Sequence, residues 1–407
     1  MAIDPNLMPY QPLEGKTVVL GVTGGIAAYK AADLASNLVQ LGADVHVLMT
    51  RSATEFVGTT TFAALTQNPV HDSVIENWES GYTGHISLGQ SAHALVIAPA
   101  TANTIAKLSL GLADDMIGTT ALTTLAPIVI APAMEHEMFH HAATQGHIET
   151  LRKRGVIFVG PDQGRLASGE YGEGRLTSAA NITGAARQAI GANGPLAGKT
   201  IVVTAGGTFE SLDPVRYIGN RSSGRMGYAL AQSVIDTGGR CVLITGPSML
   251  PTPYGACVHK VESAVQMNTA VYEQVSSADA IIMTAAVADY RPSHQSITKI
   301  KKRDGESGLT VELDRNPDII GSLKDASIIR IGFAAETNDH IAYGTDKLKK
   351  KNLDMVVVND AVDTIGSANS AATIISRSEE PLVLPKMVKE RLASVIVARL
   401  PRMLADQ

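Results

Sequence analysis

Cysteine is nearly absent from this chain, whose 407 residues include only Cys241 and Cys257. Two cysteines exclude a disulfide framework and a cysteine-rich metal site. Aromatic residues are also scarce, at 4% of the sequence, and the formal net charge is only −5. Because a small negative charge gives no overall attraction to nucleic acid or to an anionic membrane, we expect neither of them as a partner.

Long apolar runs are missing as well. The sequence has no stretch of about 18 apolar residues that could cross a bilayer, and its first 16 residues, MAIDPNLMPYQPLEGK, lack the apolar core of a signal peptide. We therefore expect a cytoplasmic protein whose first dozen residues form a loose tail. Hydrophobic residues make up 45% of the chain, so the rest should fold throughout, and its length favours two domains.

One pattern occurs twice, as LEGKTVVLGVTGG at 13–25 and as LAGKTIVVTAGGT at 196–208. A polar turn, a β-branched run and a glycine turn are typical of the first strand of a parallel α/β domain. Between the two copies, IGANGP at 190–195 has the composition of a linker. The sequence therefore predicts domains at 13–190 and 196–407.

Short apolar runs alternate with helical stretches in both halves, which indicates parallel sheets covered on both faces. In the first half we predict a helix at 26–41 and strands at 43–49, 94–98, 127–131 and 156–159. In the second half we predict strands near Ile201, Cys241, Ala280 and Ile329 and at 354–358, then a hairpin at 371–385 with its turn at 376–380.

The glycine-rich turn GVTGGIAAYK at 21–30 links a predicted strand to a predicted helix. Small residues at a helix start let backbone N–H groups approach a phosphate. The turn lacks the Gly-Lys-Ser/Thr of a P-loop, and the next strand ends in LMTRSA at 48–53, without the acid that holds a dinucleotide ribose. The hydroxyls of Thr50 and Ser52 favour a flavin phosphate over NAD, although a merely tight turn remains the alternative.

Two histidine motifs are ambiguous from the residues alone. His85 precedes an apolar stretch, where a lone histidine is more often structural than catalytic. HEMFH, from His136 to His140, matches the HExxH zinc signature, but it directly follows a strand and has no evident third ligand. Hydroxyl and amide side chains in APATANTIAKL at 98–108 follow another strand, at the edge where open α/β sheets bind ligands.

The stretch GRLASGEYGEGRL at 164–176 could be a linker, a nucleophile loop or a flap. It is not a Gly-x-Ser-x-Gly elbow around Ser168, because Leu166 and Glu170 stand where that motif needs glycine.

Basic residues cluster in the second half. Five of them and no acid lie between Arg291 and Arg303, and four lysines fall within the five residues 347–351. In an acidic protein such clusters favour polyphosphate binding. A solvated face or a nucleic-acid patch is the alternative, and the absence of interleaved aromatics argues against single-stranded nucleic acid.

The first half resembles the flavin-dependent cysteine decarboxylases, and the second half resembles the phosphopantothenate–cysteine ligases. The first resemblance lies in the motifs at 21–30, 84–89, 98–108, 131–134 and 167–176; the second lies in those at 205–227, 285–292, 299–302, 316–319, 332–337 and 347–354. Together, in this order, they resemble the bifunctional phosphopantothenoylcysteine decarboxylase/phosphopantothenate–cysteine ligases of coenzyme A biosynthesis. This implies a flavodoxin-like flavoprotein domain followed by a Rossmann-like α/β ligase domain.

The resemblance implies an FMN site and a substrate flap in the first half. FMN would contact the residues of three strand ends, namely Gly24, Gly25, Ile26, Thr50, Ser52, Ala100, Thr101 and Ala102. His85 would be the base near the substrate thiol, and Glu135 would contact the substrate. Many relatives have cysteine where this chain has Ser168 and asparagine where it has Glu135. Since a hydroxyl is a poorer acid than a thiol, these departures leave the last decarboxylase step in question.

The resemblance implies a CTP site in the second half, with Mg²⁺ at Asp289. The nucleotide-binding set is Gly206, Gly207, Thr208, Ala286, Asp289, Lys299, Asn316, Pro317, Asp318, Ile319, Phe333, Lys347 and Lys351. Asn220 and Arg216 would contact the substrate, and Asn220 and Lys299 would be catalytic. Phe209 and Ser211 depart from the family's usual residues, so the detail of that loop is open.

The implied reactions join cysteine to 4′-phosphopantothenate through an acyl-cytidylate and then decarboxylate the product to 4′-phosphopantetheine. The implied assembly is a homo-oligomer with decarboxylase trimers and ligase dimers, as in a dodecamer. An active ligase fused to a flavin-binding half with altered or lost decarboxylase activity is the main alternative. A second alternative is a non-catalytic assembly protein that binds nucleotides. The absence of an acidic residue that could hold the ribose argues against an NAD dehydrogenase.

Overall fold

The computed structural model describes residues 4–74, 84–301, 308–323, 327–336, 339–360, 367–377 and 379–406. Its contacts divide the chain into one unit at Gln11–Gly191 and a second at Ala192–Gln407 that includes the amino-terminal segment up to Tyr10. Lys302 and Arg303 of the basic run and Thr337 of the last-but-one motif lie outside the described residues.

The first unit is built on a parallel sheet of six strands. These are β1 Thr17–Val22, β2 Asp44–Met49, β3 Val70–His71, β4 Ala94–Ala100, β5 Ile128–Pro132 and β6 Ile157–Phe158. Their order is β3-β2-β1-β4-β5-β6, and every neighbouring pair is parallel. The order reverses between β1 and β4, and ligands of doubly wound sheets bind beside such a reversal, at the carboxyl ends of the strands.

Helices cover both faces of this sheet. They are α1 Ala31–Gln40, α2 Arg51–Thr54, α3 Thr59–Thr66, α4 Gly84–Ser91, α5 Ala102–Leu110, α6 Met116–Thr123, α7 His136–His140, α8 Ala142–Lys153 and α9 Ala179–Gly191. Val19, Leu95 and Ile130 of three strands are fully buried in one core cluster. Their chain neighbours Val18 and Val129 are buried too, and since adjacent strand residues point to opposite faces, both faces are covered.

The stretch at 164–176 contributes to an antiparallel hairpin, formed by β7 Asp162–Arg165 and β8 Tyr171–Arg175. At its tip the N–H of Leu166 donates to the carbonyl of Glu170. The sequence did not indicate these strands, because four glycines and alternating charges hide the pattern of a strand.

The second unit has an eight-stranded sheet and two small ribbons. The strands are β9 Thr200–Ala205, β10 Phe209–Ser211, β11 Tyr217–Gly219, β12 Arg240–Thr245, β13 Cys257–Lys260, β14 Ala280–Met283, β15 Tyr290–Pro292, β16 Leu313–Arg315, β17 Ile329–Glu336, β18 Met355–Asp360, β19 Asn369–Ser376 and β20 Leu382–Val388. The sheet order is β13-β12-β9-β14-β17-β18-β19-β20, with the first six strands parallel. The strands β10–β11 and β15–β16 form the ribbons.

Its helices pack on both faces of the sheet. They are α10 Arg225–Asp236, α11 Ala264–Val275, α12 Ile319–Ser322, α13 His340–Lys350, α14 Lys389–Val397 and α15 Leu400–Ala405. Ile201 and Val203 of β9 are buried with α10 and α14, and Val202 between them is buried with α11. This alternation places one helical layer on each face.

The predicted α/β class is confirmed, and so is the carboxyl-terminal hairpin, since β19 and β20 are antiparallel. Two local predictions differ from the structure. The helix expected at 26–41 starts as a 3₁₀ helix at Ile26–Lys30 and becomes α-helical at Ala31, as tight first turns often do. The expected loose tail contains a 3₁₀ helix at Pro5–Leu7 that packs against β20.

Candidate active sites

Three strand ends of the first unit meet at the glycine turn. A Cβ atom on Gly24 would lie 2.3 Å from Cβ and 2.7 Å from the carbonyl carbon of Ser52, so only glycine allows the turn to approach α2 this closely. The fully buried hydroxyl of Thr23 donates to the carbonyl of Pro99 at 2.7 Å and accepts the N–H of Thr101 at 3.0 Å. The structure thus joins the ends of β1, β2 and β4 where the sequence predicts FMN.

Two threonines of this edge start helices. The hydroxyl of Thr50 accepts the N–H of Ala53, and that of Thr101 accepts the N–H of Thr104, each at 3.3 Å. Ile26 is exposed beside the turn, whereas Ala100 is fully buried in β4 and Ala102 begins α5. Helix starts, hydroxyls and small residues therefore converge on one edge, which is a chemistry suited to an anionic group.

His85 and Glu135 each carry a buried atom that lacks a hydrogen-bond partner within the described residues, namely Nδ1 of His85 and Oε1 of Glu135. His85 lies on α4, where its backbone carbonyl accepts the hydroxyl of Thr123 from α6. Glu135 follows β5 and precedes α7. Leaving a buried polar atom unpaired costs free energy, so both atoms are candidates to contact a ligand.

The hairpin β7–β8 is docked onto the residues around Glu135. The N–H of Met134 donates to the carbonyl of Gly174 at 3.0 Å, and a Cβ on Gly174 would lie 2.1 Å from the carbonyl oxygen of Met134. The predicted flap and the predicted substrate contact Glu135 therefore adjoin. Ser168 is exposed at the hairpin tip, where its hydroxyl accepts the N–H of Glu170 at 3.3 Å.

The histidines of the HExxH match both contact the hairpin. Nδ1 of His136 accepts the N–H of Glu173 at 3.1 Å, and Nε2 of His140 lies 3.1 Å from Oε2 of the same glutamate. The two rings share one helical face as the spacing predicts, with centroids 4.4 Å apart, and they fasten the hairpin to α7.

A cavity of about 590 Å³ lies between α1, the base of the hairpin and the start of α9. Lys30, Arg175 and Asp162 line it. Burial lowers the pKa of Lys30, Arg175 adds to this effect, and Asp162 opposes it. The sequence analysis assigned no role to Lys30 or Arg175, although they lie in the motifs at 21–30 and 167–176.

The second unit has a larger cavity, of about 970 Å³, at the carboxyl ends of its parallel strands. Ten residues expected at the substrate and nucleotide sites line it, namely Asn220, Ala286, Asp289, Asn316, Pro317, Asp318, Ile319, Phe333, Lys347 and Lys351. Six cationic side chains contribute to its wall, from Arg221, Arg225, Arg315, Lys347, Lys351 and Lys389, against the two carboxylates of Asp289 and Asp318. This excess of positive charge fits a polyanion.

Several polar groups in the wall are already held by the protein. Nζ of Lys347 donates to the carbonyl of Phe333 at 2.7 Å, and Nζ of Lys351 pairs with Oδ2 of Asp318. The amide of Asn220 donates to the carbonyls of Ala286 and Val287. These contacts fix the positions of the side chains before a ligand arrives.

The glycine loop after β9 supports this wall rather than lining the cavity. The N–H of Ala286 donates to the carbonyl of Gly206 at 2.8 Å, and Gly207 forms a β-bridge with Ala286. Thr208 is fully buried, and its hydroxyl accepts the N–H of Ala288. A Cβ on Gly246 would lie 2.0 Å from the carbonyl oxygen of Gly207, so only glycine at position 246 allows the backbone of this loop to approach so closely.

Arg216 and Lys299 are also not among the lining residues. Arg216 pairs with the fully buried carboxylate of Asp213 at 2.5 Å and donates to the carbonyl of Ile300. The N–H of Ile300 donates to the same carboxylate at 3.1 Å, so this cluster fixes the backbone beside the exposed Lys299. The acidic residue of LDPVR, at 212–216, is the only sequence signal for this cluster, and the sequence analysis did not identify it.

Replacing Asp213 with asparagine should lower the melting temperature at pH 7. Hydrogen bonds from Arg216 hold the pKa of Asp213 well below its usual value, backbone N–H groups add to the effect, and burial opposes it. Because the folded pKa is lower than the unfolded one, the stabilisation is complete above the unfolded pKa and is lost as the pH falls toward the folded pKa.

The difference in melting temperature between wild type and Asp213→Asn should therefore narrow below about pH 5. Circular-dichroism melts across this range measure it. Asp346→Asn is the control, since Asp346 makes an exposed pair with Lys350 and such pairs contribute little. A difference in melting temperature that stays constant down to the lowest pH at which both proteins fold would contradict the stabilising role of the pair between Asp213 and Arg216.

Within the described residues, no group of three or more His, Cys, Asp and Glu side chains is arranged to hold a metal ion. Asp289, predicted to bind Mg²⁺, is exposed on the wall of the large cavity. None of the helices in the described part of the chain combines the length and the apolar character needed to cross a bilayer.

Known proteins resemble both units. Residues 7–191 match the Flavoprotein family model, and residues 196–403 match that of the DNA/pantothenate metabolism flavoprotein C-terminal domain. The coenzyme A biosynthesis bifunctional protein CoaBC of Vibrio vulnificus is 42% identical over 92% of this chain and 95% of its own length. Its counterpart in Bacillus subtilis is 43% identical over 93% and 94%.

Among solved structures, the C-terminal domain of a coenzyme A biosynthesis bifunctional protein CoaBC is 36% identical. It covers 53% of this chain and 100% of its own, with a TM-score of 0.46. The identity to the full-length relatives extends over nearly the whole chain and both of its units. The chain therefore belongs to the family of bifunctional coenzyme A biosynthesis proteins.

Proposed function

We propose that the two halves of this bifunctional enzyme catalyse consecutive reactions at the two strand-end sites. The ligase domain, at 196–407, would join cysteine to 4′-phosphopantothenate at the expense of CTP. The decarboxylase domain, at 13–190, would convert the resulting phosphopantothenoylcysteine into 4′-phosphopantetheine. The observation that carries the proposal is the cavity of about 970 Å³ whose wall bears six cationic side chains, in a chain of this family.

The glycine turn fits the phosphate of FMN. A phosphate needs close backbone approach and hydroxyl donors, and the turn offers Gly24, Gly25, Thr50, Ser52 and Thr101 at one edge. When bound there, FMN supplies a reversible two-electron sink for the substrate. Side chains of the protein would bind the substrate and transfer its protons.

His85 would take the proton of the substrate thiol, since its Nδ1 is buried and lacks a partner among the described residues. Glu135 would face the substrate at the base of the hairpin, which would cover it as a flap. Ser168 would occupy the place of the final proton donor, where its hydroxyl is a weaker acid than a thiol. Fastening of the hairpin by Glu173 to His136 and His140 would keep this flap in register.

Replacing Gly24 with alanine should weaken FMN binding by about 10- to 100-fold, because overpacking costs ~1–3 kcal/mol. The added methyl group would fall within 3 Å of the Ser52 backbone, which must move away from the turn. The flavin content of purified protein and its dissociation constant for FMN measure the effect. Gly58→Ala is the control, since its Cβ would meet nothing within 4 Å. Equal flavin affinity in Gly24→Ala and wild type would refute this role of the turn.

In the ligase half, a carboxylate oxygen of 4′-phosphopantothenate would attack the α-phosphorus of CTP. The bond from that phosphorus to its bridging oxygen breaks, and pyrophosphate leaves. The amine of cysteine then attacks the acyl carbon, loses a proton and expels CMP. Lys347, Lys351 and Lys299 would offset the charge of the triphosphate. Asn220 would contact the acyl-cytidylate.

Mg²⁺ would reach the site with the triphosphate. This ion keeps several waters and often binds through substrate phosphates and one or two carboxylates, so Asp289 alone would suffice on the protein side. Asp289 lies on the cavity wall, and its exposure leaves room for a hydrated ion.

We further propose a cytoplasmic homo-oligomer, with decarboxylase domains in trimers and ligase domains in dimers, as in a dodecamer. Light scattering of the purified holoenzyme gives its mass directly. A monomer at micromolar concentration would contradict this assembly and would not argue against the two proposed activities.

A mass-resolved assay with 4′-phosphopantothenate, cysteine, CTP and Mg²⁺ tests the function. Appearance of CMP, pyrophosphate, CO₂ and 4′-phosphopantetheine is expected. Accumulation of phosphopantothenoylcysteine without CO₂ would show that only the ligase half works. Absence of pyrophosphate would overturn the ligase assignment.

A further inference from the structure

The decarboxylation of phosphopantothenoylcysteine consumes a proton. The carboxylate leaves as CO₂, and the carbon atom that carried it must gain a hydrogen atom in 4′-phosphopantetheine. Ser168 is a poor source of this proton, because a hydroxyl is a weaker acid than a thiol and because Ser168 is exposed at the hairpin tip. His85 would serve the substrate thiol instead, so a further acidic group is needed.

Glu135 adjoins both the edge proposed to bind FMN and the proposed flap. The N–H of Ala133, two residues earlier, donates to the carbonyl of Ala100 at 3.0 Å, so the chain that follows β5 stays beside the end of β4. A Cβ on Gly174 of β8 would lie 3.4 Å from the carbonyl carbon of Glu135. The hairpin therefore reaches the same residue as the strand ends.

One oxygen of the Glu135 carboxyl group is left for a ligand. Its Oε1 is buried and has no hydrogen-bond partner in the part of the chain that the structure describes. The neighbouring acids differ in this respect, since Glu173 pairs with His140 at 3.1 Å and Glu137 is exposed. Burying a polar atom without a partner costs free energy, so a ligand that completes this hydrogen bond is expected beside Glu135.

The substrate proposed for this site is itself a carboxylate. Two ionised carboxylates in contact repel each other, and such a pair therefore holds one proton between them. Facing the substrate, Glu135 would carry this proton and donate its O–H to the substrate carboxylate. An amide side chain could donate a similar hydrogen bond, but only an acid can afterwards give up the proton.

We propose that Glu135 is the acid that protonates the substrate once CO₂ has left. The bond between the carboxyl carbon and its neighbouring carbon breaks, and the electron pair stays on the neighbouring carbon and the sulfur conjugated with it. The O–H bond of Glu135 then breaks, and its proton forms the new C–H bond. Glu135 is left as a carboxylate and regains a proton from water. This inference rests on the proposed decarboxylase function, in which the two electrons exchanged with FMN return to the substrate.

The alternative is that Glu135 only binds the substrate or supports the hairpin. A residue with such a role would change the affinity for the substrate or the stability of the protein, and the same product would still be released. A proton donor determines which product is released, and this difference is measurable.

A single turnover of the full-length holoenzyme with phosphopantothenoylcysteine tests the proposal with Glu135→Gln. Dioxygen is excluded, because it would reoxidise the flavin. Glutamine keeps the size and an N–H donor for the carboxylate, but it cannot give up a proton. We expect CO₂ in an amount equal to the bound FMN, whereas formation of 4′-phosphopantetheine should fall by about 100- to 10,000-fold, the usual contribution of a general acid. Mass spectrometry should detect the decarboxylated compound that lacks two hydrogen atoms.

Two further variants separate the acid from its surroundings. Glu135→Asp should recover part of the rate, because aspartate is still an acid. Glu137→Gln is the matched control, since Glu137 is exposed on α7 only two residues away, and it should form 4′-phosphopantetheine within about twofold of the wild-type rate. The FMN content of each purified protein shows whether its decarboxylase domain is folded.

A measurement on the wild-type protein covers the case in which Glu135→Gln does not fold. Phosphopantothenoylserine keeps the substrate carboxylate but has oxygen in place of sulfur, so it cannot be oxidised as a thiol. The infrared spectrum of its complex with the holoenzyme near neutral pH should contain the carbonyl band of a protonated glutamic acid. A shift of that band in protein labelled with ¹³C-glutamate identifies it.

The proposal is overturned if folded Glu135→Gln forms 4′-phosphopantetheine at the wild-type rate. It is also overturned if this variant releases no CO₂, since Glu135 would then act before the carbon–carbon bond breaks. Absence of a protonated glutamic acid from the infrared spectrum of the complex overturns it as well. If the wild-type protein releases no CO₂ at all, the proposed decarboxylase function fails instead, and the two failures are thereby distinguished.

Discussion

Decarboxylation by the His85→Gln protein should fall by about 100- to 10,000-fold, the range lost when a general base is removed, while ligation continues at the wild-type rate. Phosphopantothenoylcysteine should then accumulate in the coupled assay. Mass spectrometry of the products and trapping of CO₂ measure the two activities in one reaction.

The expected split between activities follows from where His85 lies. It belongs to α4 in the first unit, whereas the cationic cavity is formed by residues of the second. Its backbone carbonyl is held by Thr123, and a Cβ on Gly89 would lie 2.2 Å from the hydroxyl oxygen of Thr123. This close packing fixes α4 against α6, so the imidazole has a defined position, and its buried Nδ1 is left for a ligand.

His46→Gln is the matched control. His46 lies near the start of β2, away from the carboxyl ends of the strands, and its Nε2 pairs with Asp44 at 3.1 Å. It should keep both activities within about twofold. CO₂ release by His85→Gln close to that of wild type would show that another group removes the thiol proton. A parallel loss of pyrophosphate release would show that the substitution damages the whole protein.

The sequence predicted the parallel sheets because their strands are short apolar runs that hydrogen-bond to partners of the same kind. Ile201, Ala280 and Ile329 all fall in neighbouring central strands. Three smaller pairs escaped prediction, namely the hairpin β7–β8 and the ribbons β10–β11 and β15–β16. Most of their residues are polar or glycine, and only Gly164, Gly174 and Glu210 are buried, so they lack the pattern of buried apolar residues that identifies a strand.

The strand order of the first sheet could not by itself identify its ligand. The order β3-β2-β1-β4-β5-β6 is shared with dinucleotide-binding sheets, so the preference for a flavin depended on the hydroxyls at Thr50 and Ser52 and on the resemblance. The motif at 21–30 located the turn, but the approach of Gly24 to Ser52 is a tertiary contact that needs coordinates.

Two residues of the second unit show that charge clusters in the sequence do not by themselves identify the residues that line the cavity. The run at 291–303 pointed to Lys299, which is exposed and does not line the cavity. Lys389 lies in no basic cluster, with Glu390 as its neighbour, and it is nevertheless on the cavity wall. Sequence spacing reports which charges are near in the chain, whereas α14 reaches the site only because it packs against α10.

Replacing Lys347 with methionine should lower kcat/KM for CTP by about 100- to 1,000-fold, the usual loss when one donor to developing negative charge is removed. Decarboxylation of added phosphopantothenoylcysteine should be unchanged. Pyrophosphate release at varied CTP measures the first effect, and CO₂ release measures the second.

The size of this effect follows from how Lys347 is held. Its Nζ donates to the carbonyl of Phe333 at 2.7 Å, so the ammonium group is oriented before CTP binds. Departure of pyrophosphate places additional negative charge on the oxygen next to the α-phosphorus. A charge already in position stabilises that change without reorganisation, which affects the transition state more than the ground state.

Lys350→Met separates this role from the general charge of α13. Lys350 lies three residues further along the same helix, is largely exposed, and pairs with Asp346 at 2.8 Å. Because it does not line the cavity, its loss should change kcat/KM for CTP by no more than about twofold. If Lys350→Met and Lys347→Met weaken the reaction equally, the lysines act only through a diffuse field that salt would screen. If Lys347→Met retains wild-type kcat/KM, the triphosphate lies elsewhere.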